Sequence, residues 1–377
     1  MIIAGEASGD LHGANLVDAM RRLDPDLGFL GIGGDALRRA GVDVRIDNAD
    51  IAVVGGAEVL SKIRPILRAL GQAKKDLKEV RPALLILIDF PDFNLRVAAA
   101  AKKLGIPVMY YISPQIWAWR AGRVKKIRKR VDHMVVIFPF EADFYKKWDV
   151  PVTFVGHPLM DSTPPAGTVG VSTDLRGDGV LVGLLAGSRA QEVGRMLPIM
   201  VEVAERLSKE LEGVRFAIPV ASSVRRDMVE GIVEGAKAKI TVLSNRLRDV
   251  LDQATIVITA SGTVTLEAAI AGTPMIIVYR LSPLSYWIAK RLIRVTHIGL
   301  VNLVGRKSIV PELIQRDASA EQISDKALAM IRDERGLAQV RAELRGVVEK
   351  LGLPGASERA AKVAMTMLSY KPFQNPI

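Results

Sequence analysis

The sequence predicts a two-domain α/β protein, each domain built on a doubly wound parallel sheet, and three observations support this fold class. The chain has 377 residues, of which 49% are hydrophobic, and this is more than a single core usually accommodates. Short β-branched or leucine-rich runs alternate with amphipathic helical stretches, as in parallel strands joined by crossover helices. Prolines and glycines break this alternation at residues 162–174, after which it begins again.

Apolar runs define the expected strands of each half. A short strand is expected at residues 1–4, and longer strands at 84–88, 108–112, 134–137 and 152–155. Beyond the break, strands are expected at 180–185, 215–218, 240–243, 256–259 and 275–278. The predicted organisation is a first domain at 1–161, a linker at 162–174, a second domain at 175–350 and a helical segment at 351–377 that packs back on the first domain. Two Rossmann-like domains would face a central cleft, with the chemistry in loops at the strand ends.

Composition narrows the class of partner and the compartment. The formal net charge of +11 indicates attraction to nucleic acid, anionic lipid or a phosphorylated small molecule, without choosing among them. The chain contains no cysteine, which excludes disulfides, thiolate metal sites and cysteine nucleophiles and fits a reducing cytoplasm. Neither a signal peptide nor an apolar run of membrane-spanning length is recognisable, so a soluble protein is expected.

The first candidate loop contains Gly5, Glu6, Ser8 and Asp10, between a short strand and a helix expected to begin near Leu11. Its glycines permit a tight turn with exposed N–H groups that suit a sugar or phosphate. The spacing differs from the dinucleotide fingerprint, which disfavours a nicotinamide cofactor. The alternative is that Asp10 caps a helix.

The second candidate loop follows the strand expected at 84–88 and begins with Asp89. A carboxylate at a strand end faces the crevice of an open sheet, so Asp89 is a candidate general base. Asp92 and Asn94 suit a structural role instead, as turn and cap residues of a helix expected to start near Leu95.

The second half contains two similar loops. Gly187, Ser188 and Arg189 follow one strand and precede Glu192. Small residues and a guanidinium at a helix start suit a diphosphate. The alternative is an ordinary turn with a surface arginine.

Ser261, Gly262 and Thr263 follow another strand, and Glu267 lies one helical turn beyond Thr263. The amides of this loop can hold phosphate while the Glu267 carboxylate reaches ribose hydroxyls. The two loops together predict nucleotide binding in the second domain. The four histidines are scattered, so no catalytic metal and no cofactor are expected. Arg189 and helix N-termini would then meet the charge of the leaving group.

Two surface segments combine basic residues with apolar or aromatic ones. The stretch 120–130 is strongly basic and follows two tryptophans, as a nucleic-acid patch, an anionic-ligand site or a solvated helix face would. The stretch 59–70 has apolar residues at helical spacing between basic ones, as in a membrane-surface helix or a core helix with a basic outer face. Pro65 argues against an uninterrupted helix there. The membrane-contact candidates are Val59, Leu60, Ile63 and Leu67.

Four motifs, taken in order, resemble those of lipid-A-disaccharide synthases. They lie at residues 5–10, 88–94, 111–120 and 187–189. The likeness continues through 138–141, 154–157, 261–267, 279–280 and 302–303, and so covers essentially the whole chain. The most distinctive element is Ser-Pro-x-x-Trp-Ala-Trp-Arg, which begins at Ser113.

This resemblance implies a GT-B-type fold and an inverting transfer of 2,3-diacylglucosamine from its UDP conjugate to the 6-hydroxyl of 2,3-diacylglucosamine 1-phosphate. It places the essential aspartate at Asp89 and the essential arginine at Arg189. It also places Asn302 in the UDP pocket, with Glu192, Ser261, Gly262, Thr263 and Glu267. It further implies a homodimer at the inner face of the inner membrane of a Gram-negative bacterium, in contact with membrane lipids and not with nucleic acid.

Two alternatives remain at this point. Another GT-B-type UDP-sugar enzyme, such as a UDP-N-acetylglucosamine 2-epimerase, shares glycine-rich loops of this kind, although the tryptophan motif disfavours it. A noncatalytic nucleotide- or RNA-binding protein would explain the basic charge, and steep salt dependence of RNA binding would identify it.

Overall fold

The structure is a computed structural model that describes residues 1–51, 59–119, 121–162, 175, 177–281 and 297–369, and the structural statements below concern those residues. The chain divides into two compact units. Unit 1 comprises Met1–Asp161 and Leu351–Ile377, and unit 2 comprises Ser162–Lys350. Each unit has its own hydrophobic core, formed between a parallel sheet and the helices that cover it.

Unit 1 is built on a seven-stranded parallel sheet. The strands are β1 (Ile2–Ala4), β2 (Leu30–Gly33), β3 (Asp43–Asp47), β4 (Leu85–Ile88), β5 (Val108–Tyr111), β6 (His133–Val136) and β7 (Val152–Phe154). Their order is β3-β2-β1-β4-β5-β6-β7. The helices described before the break are α1 (Ala7–Leu23), α2 (Asp35–Arg39), α3 (Asn48–Ile51), α4 (Val59–Val80), α5 (Pro91–Lys103), α6 (Ile116–Trp119), α7 (Val124–Arg130), α8 (Pro139–Lys146) and α9 (Leu159–Ser162), with a 3₁₀ turn at Ala121–Arg123.

Unit 2 repeats this architecture with six parallel strands. They are β8 (Leu181–Leu185), β9 (Arg215–Val220), β10 (Ile240–Ser244), β11 (Ile256–Ala260), β12 (Met275–Tyr279) and β13 (Glu312–Ile314), in the order β10-β9-β8-β11-β12-β13. Its described helices are α10 (Ala190–Glu210), α11 (Arg226–Val233), α12 (Leu247–Gln253), α13 (Val264–Ala271), α14 (Leu300–Gly305), α15 (Ala320–Arg332) and α16 (Glu334–Lys350). The two doubly wound sheets confirm the predicted fold class.

Each sheet has a point where the direction of strand addition reverses. In unit 1 it lies between β1 and β4, whose last residues Ala4 and Ile88 are register partners. In unit 2 it lies between β8 and β11, where Leu185 pairs with Thr259. Open α/β sheets bind ligands beyond the carboxyl ends of the strands at such a point. All four predicted loops follow one of these four strands.

The expected apolar runs all form strands, whereas β2, β3 and β13 were not predicted from the sequence. β2 reads Leu-Gly-Ile-Gly, and glycine weakens a strand signal. β3 reads Asp-Val-Arg-Ile-Asp and is an edge strand that is partly exposed, so it lacks an apolar run. β13 has only three residues, at the opposite edge of the second sheet.

The helix α4 contains Pro65, so the expectation that Pro65 interrupts a helix there is wrong. Pro65 removes one backbone donor, and the other turns keep the helix continuous. Leu70 and Leu77 are buried in the core of unit 1, whereas Ile63 and Leu67 are 42% and 54% exposed. The side chains of Val59 and Leu60 lie outside the described residues.

The basic stretch at 120–130 forms the short helix α7 after the 3₁₀ turn. Val124 and Ile127 are buried in the core, while Lys125, Lys126 and Lys129 are exposed. Arg120 lies outside the described residues. The arrangement is that of an amphipathic helix with a basic outer face.

The last described helix, α17 (Ala356–Ser369), belongs to unit 1 and packs against α1. Its alanines at 360, 361 and 364 are buried, and small side chains allow close approach of the two helices. Arg22 and Glu358 form an ion pair of 2.8 Å across the contact. No helix among the described residues is long and apolar enough to cross a bilayer.

Candidate active site

The loops after β1 and β4 are packed against each other through Gly5 and Phe90. A β-carbon on Gly5 would overlap Cγ and Cδ1 of the Phe90 ring, so only glycine leaves room for the ring. The ring also stacks on Phe93, with 5.3 Å between the centroids. The structure therefore gives Gly5 a packing role that sets the position of the loop containing Asp89.

The backbone at Asp89 is turned sharply out of the sheet. Asp89 and Phe90 have φ angles of +43° and +47°, in the left-handed region that non-glycine residues rarely adopt. The Asn94 amide donates to the carbonyl oxygens of Asp89 at 2.7 Å and Ile88 at 3.1 Å, and the Tyr110 hydroxyl also donates to the Asp89 carbonyl. These bonds hold the turn.

The helix after this turn begins earlier than the sequence predicts. α5 begins at Pro91, with Phe90 at the N-cap, and not near Leu95. Asn94 is fully buried, and its amide serves the preceding turn instead of capping the helix. Asp92 forms an ion pair with Arg123 at the protein surface.

The environment of Asp89 changes its acidity. The pKa of Asp89 is raised from 3.8 to about 6, chiefly by burial and also by the nearby Glu6 carboxylate, while the Phe90 N–H that donates to the carboxylate opposes the rise. A pKa of about 6 leaves Asp89 ionised at neutral pH and basic enough to accept a proton. This combination is suited to a general base.

The remaining residues of the first loop divide into two groups. Glu6 and Ser8 are exposed and can meet a ligand. The Asp10 carboxylate is buried and accepts from the backbone N–H groups of Gly34 at 2.6 Å, Ala36 at 2.8 Å and Leu37 at 3.3 Å. It thus caps α2 and ties it to α1, which is the structural alternative considered for this residue, although the capped helix is not its own.

A buried carboxyl group close to Asp89 was not recognised as functional from the sequence. Glu141, only 1% exposed, accepts from the Trp117 indole N–H at 3.0 Å and the Phe138 N–H at 3.2 Å. Burial raises the pKa of Glu141 to about 8, and the charge of Asp89 contributes to the rise. The available signal was the Phe-Pro-Phe-Glu run at 138–141, which places Glu141 in the first turn of α8.

In unit 2 the loop after β8 folds around a carboxylate. Gly187 has a φ of +115°, and a β-carbon there would lie 2.6 Å from Oε2 of Glu192. The Glu192 carboxylate accepts from the Ser188 N–H and from the Arg189 guanidinium, both at 3.3 Å. The Arg189 side chain is 69% exposed, so it is available to a ligand. Anions are favoured at this start of α10.

The loop after β11 follows the strand next to β8 and has open space around Gly262. A β-carbon on Gly262 would meet nothing within 4 Å, and Thr263 is exposed at the start of α13. The Ser261 hydroxyl donates to the Ile298 carbonyl at 3.3 Å. Burial raises the pKa of Glu267, while Arg248 on α12 opposes the rise. Sequence reasoning did not identify Arg248.

Asn302 has a structural role within unit 2. It is fully buried, and its carbonyl oxygen accepts from the N–H groups of Ile309 at 2.8 Å and Val310 at 3.1 Å. Its amide donates to the Val310 carbonyl at 2.9 Å and to Glu312 at 2.8 Å. These bonds leave Asn302 no free donor for a ligand, so it positions the chain at 298–312.

The structure thus brings the candidate residues together in two groups. In unit 1, Glu6 and Asp89 interact at the reversal point of the sheet. In unit 2, Tyr279 at the end of β12 interacts electrostatically with Glu192 and Arg189, and the Ser261 loop follows the strand between β8 and β12. No group of three His, Asp or Glu side chains within the described part of the chain is close enough to hold a metal ion.

Solved structures share this architecture at low sequence identity. The S. aureus MnaA–UDP co-structure matches with a TM-score of 0.66 and 13% identity, covering 100% of this chain and 99% of that one. The calicheamicin glycosyltransferase CalG4 matches with a TM-score of 0.62 and 14% identity, covering 98% and 97%. These likenesses establish a GT-B-type fold, as the sequence predicts.

Sequence comparisons identify the family. The family model described as lipid-A-disaccharide synthetase matches residues 1–366. The lipid-A-disaccharide synthase of Trichlorobacter lovleyi is 48% identical over 371 residues, covering 98% of this chain and 97% of the relative. That of Geobacter sulfurreducens is 47% identical over 373 residues, with the same coverage. The chain therefore belongs to the lipid-A-disaccharide synthase family of glycosyltransferases.

Proposed function

We propose that the protein transfers 2,3-diacylglucosamine from its UDP conjugate to the 6-hydroxyl of 2,3-diacylglucosamine 1-phosphate, forming a β-1,6 disaccharide and UDP. Family membership supports the reaction class. The observation that carries the mechanism is Asp89, a carboxylate with a raised pKa at the reversal point of the first sheet. The 2-epimerase alternative has only a shared fold in its favour, at 12% identity to the Neisseria meningitidis enzyme.

Asp89 acts on the acceptor. Its carboxylate accepts the proton of the 6-hydroxyl while that oxygen attacks the anomeric carbon of the donor. The new bond joins the acceptor oxygen to this carbon, and the bond from the carbon to the β-phosphate oxygen breaks with its electron pair leaving on UDP. A single displacement inverts the anomeric configuration. Glu6 assists by keeping the pKa of Asp89 high.

The unit 2 loops act on the donor. The exposed Arg189 guanidinium and the amides at the start of α10 receive the diphosphate. Before it binds, Glu192 holds Arg189 and the Ser188 N–H, so a phosphate oxygen would replace the Glu192 carboxylate at these donors. Thr263 and Gly262 offer a second set of amides, and Glu267 receives the ribose hydroxyls. Asn302 serves as a positioning residue.

We also propose peripheral attachment to an anionic membrane surface through α4, because both substrates carry acyl chains. Ile63 and Leu67 lie one helical turn apart and are exposed, and the neighbouring Arg64 and Arg68 are exposed as well. Apolar and basic side chains on one exposed segment are typical of interfacial helices. The inner face of the inner membrane is the corresponding site in a Gram-negative cell.

One assay tests the proposed reaction. The full chain is incubated with UDP-2,3-diacylglucosamine and 2,3-diacylglucosamine 1-phosphate in detergent micelles, with and without EDTA, and the products are analysed by mass spectrometry. Disaccharide and UDP should form in equal amounts at the same rate in both samples. Absence of disaccharide would reject the transferase, and loss of activity with EDTA would reject metal-free catalysis.

A further inference from the structure

A cavity of about 270 Å³ lies beside Asp89 within unit 1. The tryptophan motif and the start of α8 form most of its walls. Its lining includes the polar and aromatic side chains of Asp89, Ser113, Gln115, Trp119, Arg123 and Glu141. The tryptophan motif, the most distinctive element of this sequence, therefore surrounds a space that is open to Asp89. The proposed mechanism gives that motif no function.

The cavity carries several hydrogen-bonding groups fixed in place. Oε1 of Glu141 accepts from the Trp117 indole N–H, and Oε2 accepts from the N–H groups of Ile137 and Phe138, so Oε1 retains capacity for a further bond. The buried Ser113 hydroxyl contacts the Tyr145 hydroxyl at 2.7 Å, so the wall does not depend on a ligand for its shape. Gln115 is exposed at the edge and offers both an amide donor and an acceptor.

Trp119 supplies an apolar surface at the mouth of the cavity. It is 41% exposed, and the Arg123 guanidinium lies over its ring, 6.0 Å from the centroid. Arg123 is itself fixed by its ion pair with Asp92. The indole is therefore oriented from one side. An oriented indole with exposed surface suits the C–H face of a pyranose, which is apolar while its edge is polar.

The charge and the volume of the cavity limit the class of ligand that it can bind. The ionised Asp89 carboxylate lines the cavity and disfavours a phosphate dianion beside it by repulsion, while the lining Arg123 guanidinium is already paired with Asp92. The volume lies just below the roughly 300–1,000 Å³ typical of pockets for drug-sized ligands. A neutral single sugar ring meets both conditions, whereas an acyl chain or a sugar phosphate taken whole does not.

We propose that this cavity is the subsite for the glucosamine ring of the acceptor, with the ring against Trp119, its free 4-hydroxyl on Gln115 and Glu141, and its reactive 6-hydroxyl at Asp89. The 1-phosphate and the acyl chains then lie outside the cavity. The assignment rests on the proposed function and extends it by giving the tryptophan motif a role in acceptor recognition.

The test compares steady-state kinetics of Trp119→Ala and Gln115→Ala with wild type in detergent micelles. The acceptor KM should rise about 10-fold in Trp119→Ala, the loss expected for an aromatic contact of about 1.4 kcal/mol. Gln115→Ala should raise the same constant. The donor KM, and the Kd for UDP measured by calorimetry, should stay within about twofold of wild type since unit 2 is untouched.

Trp148→Ala is the matched control, because Trp148 is 37% exposed in the same unit and does not line the cavity. It should leave the acceptor KM unchanged. Trp119→Phe keeps an aromatic ring and should restore most of the acceptor affinity. If Trp119→Ala fails to fold, the acceptor KM of Gln115→Ala tests the proposed subsite.

Two outcomes would overturn the assignment. One is wild-type acceptor KM in Trp119→Ala and Gln115→Ala while the wild-type chain makes disaccharide. The other is that Trp119→Ala loses binding to anionic vesicles with its acceptor KM in detergent unchanged, which would make Trp119 a lipid contact. A wild-type chain that makes no disaccharide would instead reject the proposed function.

Discussion

The Phe90 ring occupies the space that a side chain on Gly5 would need. Gly5 directly follows the first strand and Phe90 directly follows the candidate base, so this contact couples two loops that are 85 residues apart in the chain. The glycine is required by this packing, because any side chain at position 5 would meet the ring. The position of Asp89 therefore depends on a residue that the sequence pattern would assign to phosphate binding.

Gly5→Ala should displace the Phe90 ring and disturb the turn at Asp89. We expect a loss of stability of about 1–3 kcal/mol, as for overpacking elsewhere, and a fall in kcat. Gly71→Ala is the matched control, because Gly71 lies in α4 with nothing within 4 Å of an added β-carbon. That control should stabilise the helix by up to about 1 kcal/mol. Chemical denaturation and the transfer assay measure both, and wild-type values for Gly5→Ala would refute the packing role.

The pH dependence of the transfer should follow Asp89. A general base is active when ionised, and burial raises the pKa of Asp89 to about 6. The rate should therefore fall as pH decreases through about 6, and not near the ordinary aspartate value. Glu6→Gln removes the neighbouring charge and should therefore move this fall in rate to lower pH. A fall in rate at the same pH in Glu6→Gln as in wild type would show that Glu6 does not act on the base.

Tyr110→Phe removes a hydroxyl that donates to the Asp89 carbonyl. Asn94 still holds the carbonyl, so the fold should survive with a loss of about 0.5–1.5 kcal/mol. We expect kcat to fall about 10-fold with both KM values unchanged, because the base is less well placed. Tyr111→Phe is the control, since successive residues on β5 point to opposite faces. Equal effects of the two substitutions would argue against a role for Tyr110 in positioning.

Membrane attachment through α4 can be tested with vesicles of stated composition. Ile63→Ser combined with Leu67→Ser should weaken sedimentation with phosphatidylglycerol vesicles and leave the unfolding midpoint near that of wild type, because both side chains are exposed. Leu353→Ser is the control, as Leu353 is 78% exposed in the same unit but outside α4. Unchanged vesicle binding, or strong destabilisation, would contradict the proposal.

The fold was predictable wherever strands are uniformly apolar, and less so at the edges. β4, with the sequence Leu-Ile-Leu-Ile, is buried on both faces, and parallel strands of this kind read as continuous apolar runs. β3 alternates because one face is solvated. Pro65 shows a further limit, since a helix anchored by its later turns tolerates a missing donor near its start.

The positions of candidate residues were predictable where the end of a strand determines them, as for Asp89 directly after β4. The sequence does not distinguish a polar side chain that faces a ligand from one that hydrogen-bonds to backbone groups elsewhere in the chain. Asp10 caps α2 across 24–27 residues, and Asn302 is bonded to residues 309 and 310. Tyr110 and Glu141 were missed because their roles arise from contacts between neighbouring strands and helices, which a single sequence does not display.

The most direct test of the account compares product formation and UDP binding in Asp89→Ala. We expect disaccharide formation to fall by at least about 100-fold, as for loss of a general base, while the Kd for UDP from calorimetry stays within about twofold of wild type. Turnover near the wild-type rate in Asp89→Ala would contradict the assignment of Asp89 as the base that activates the acceptor hydroxyl.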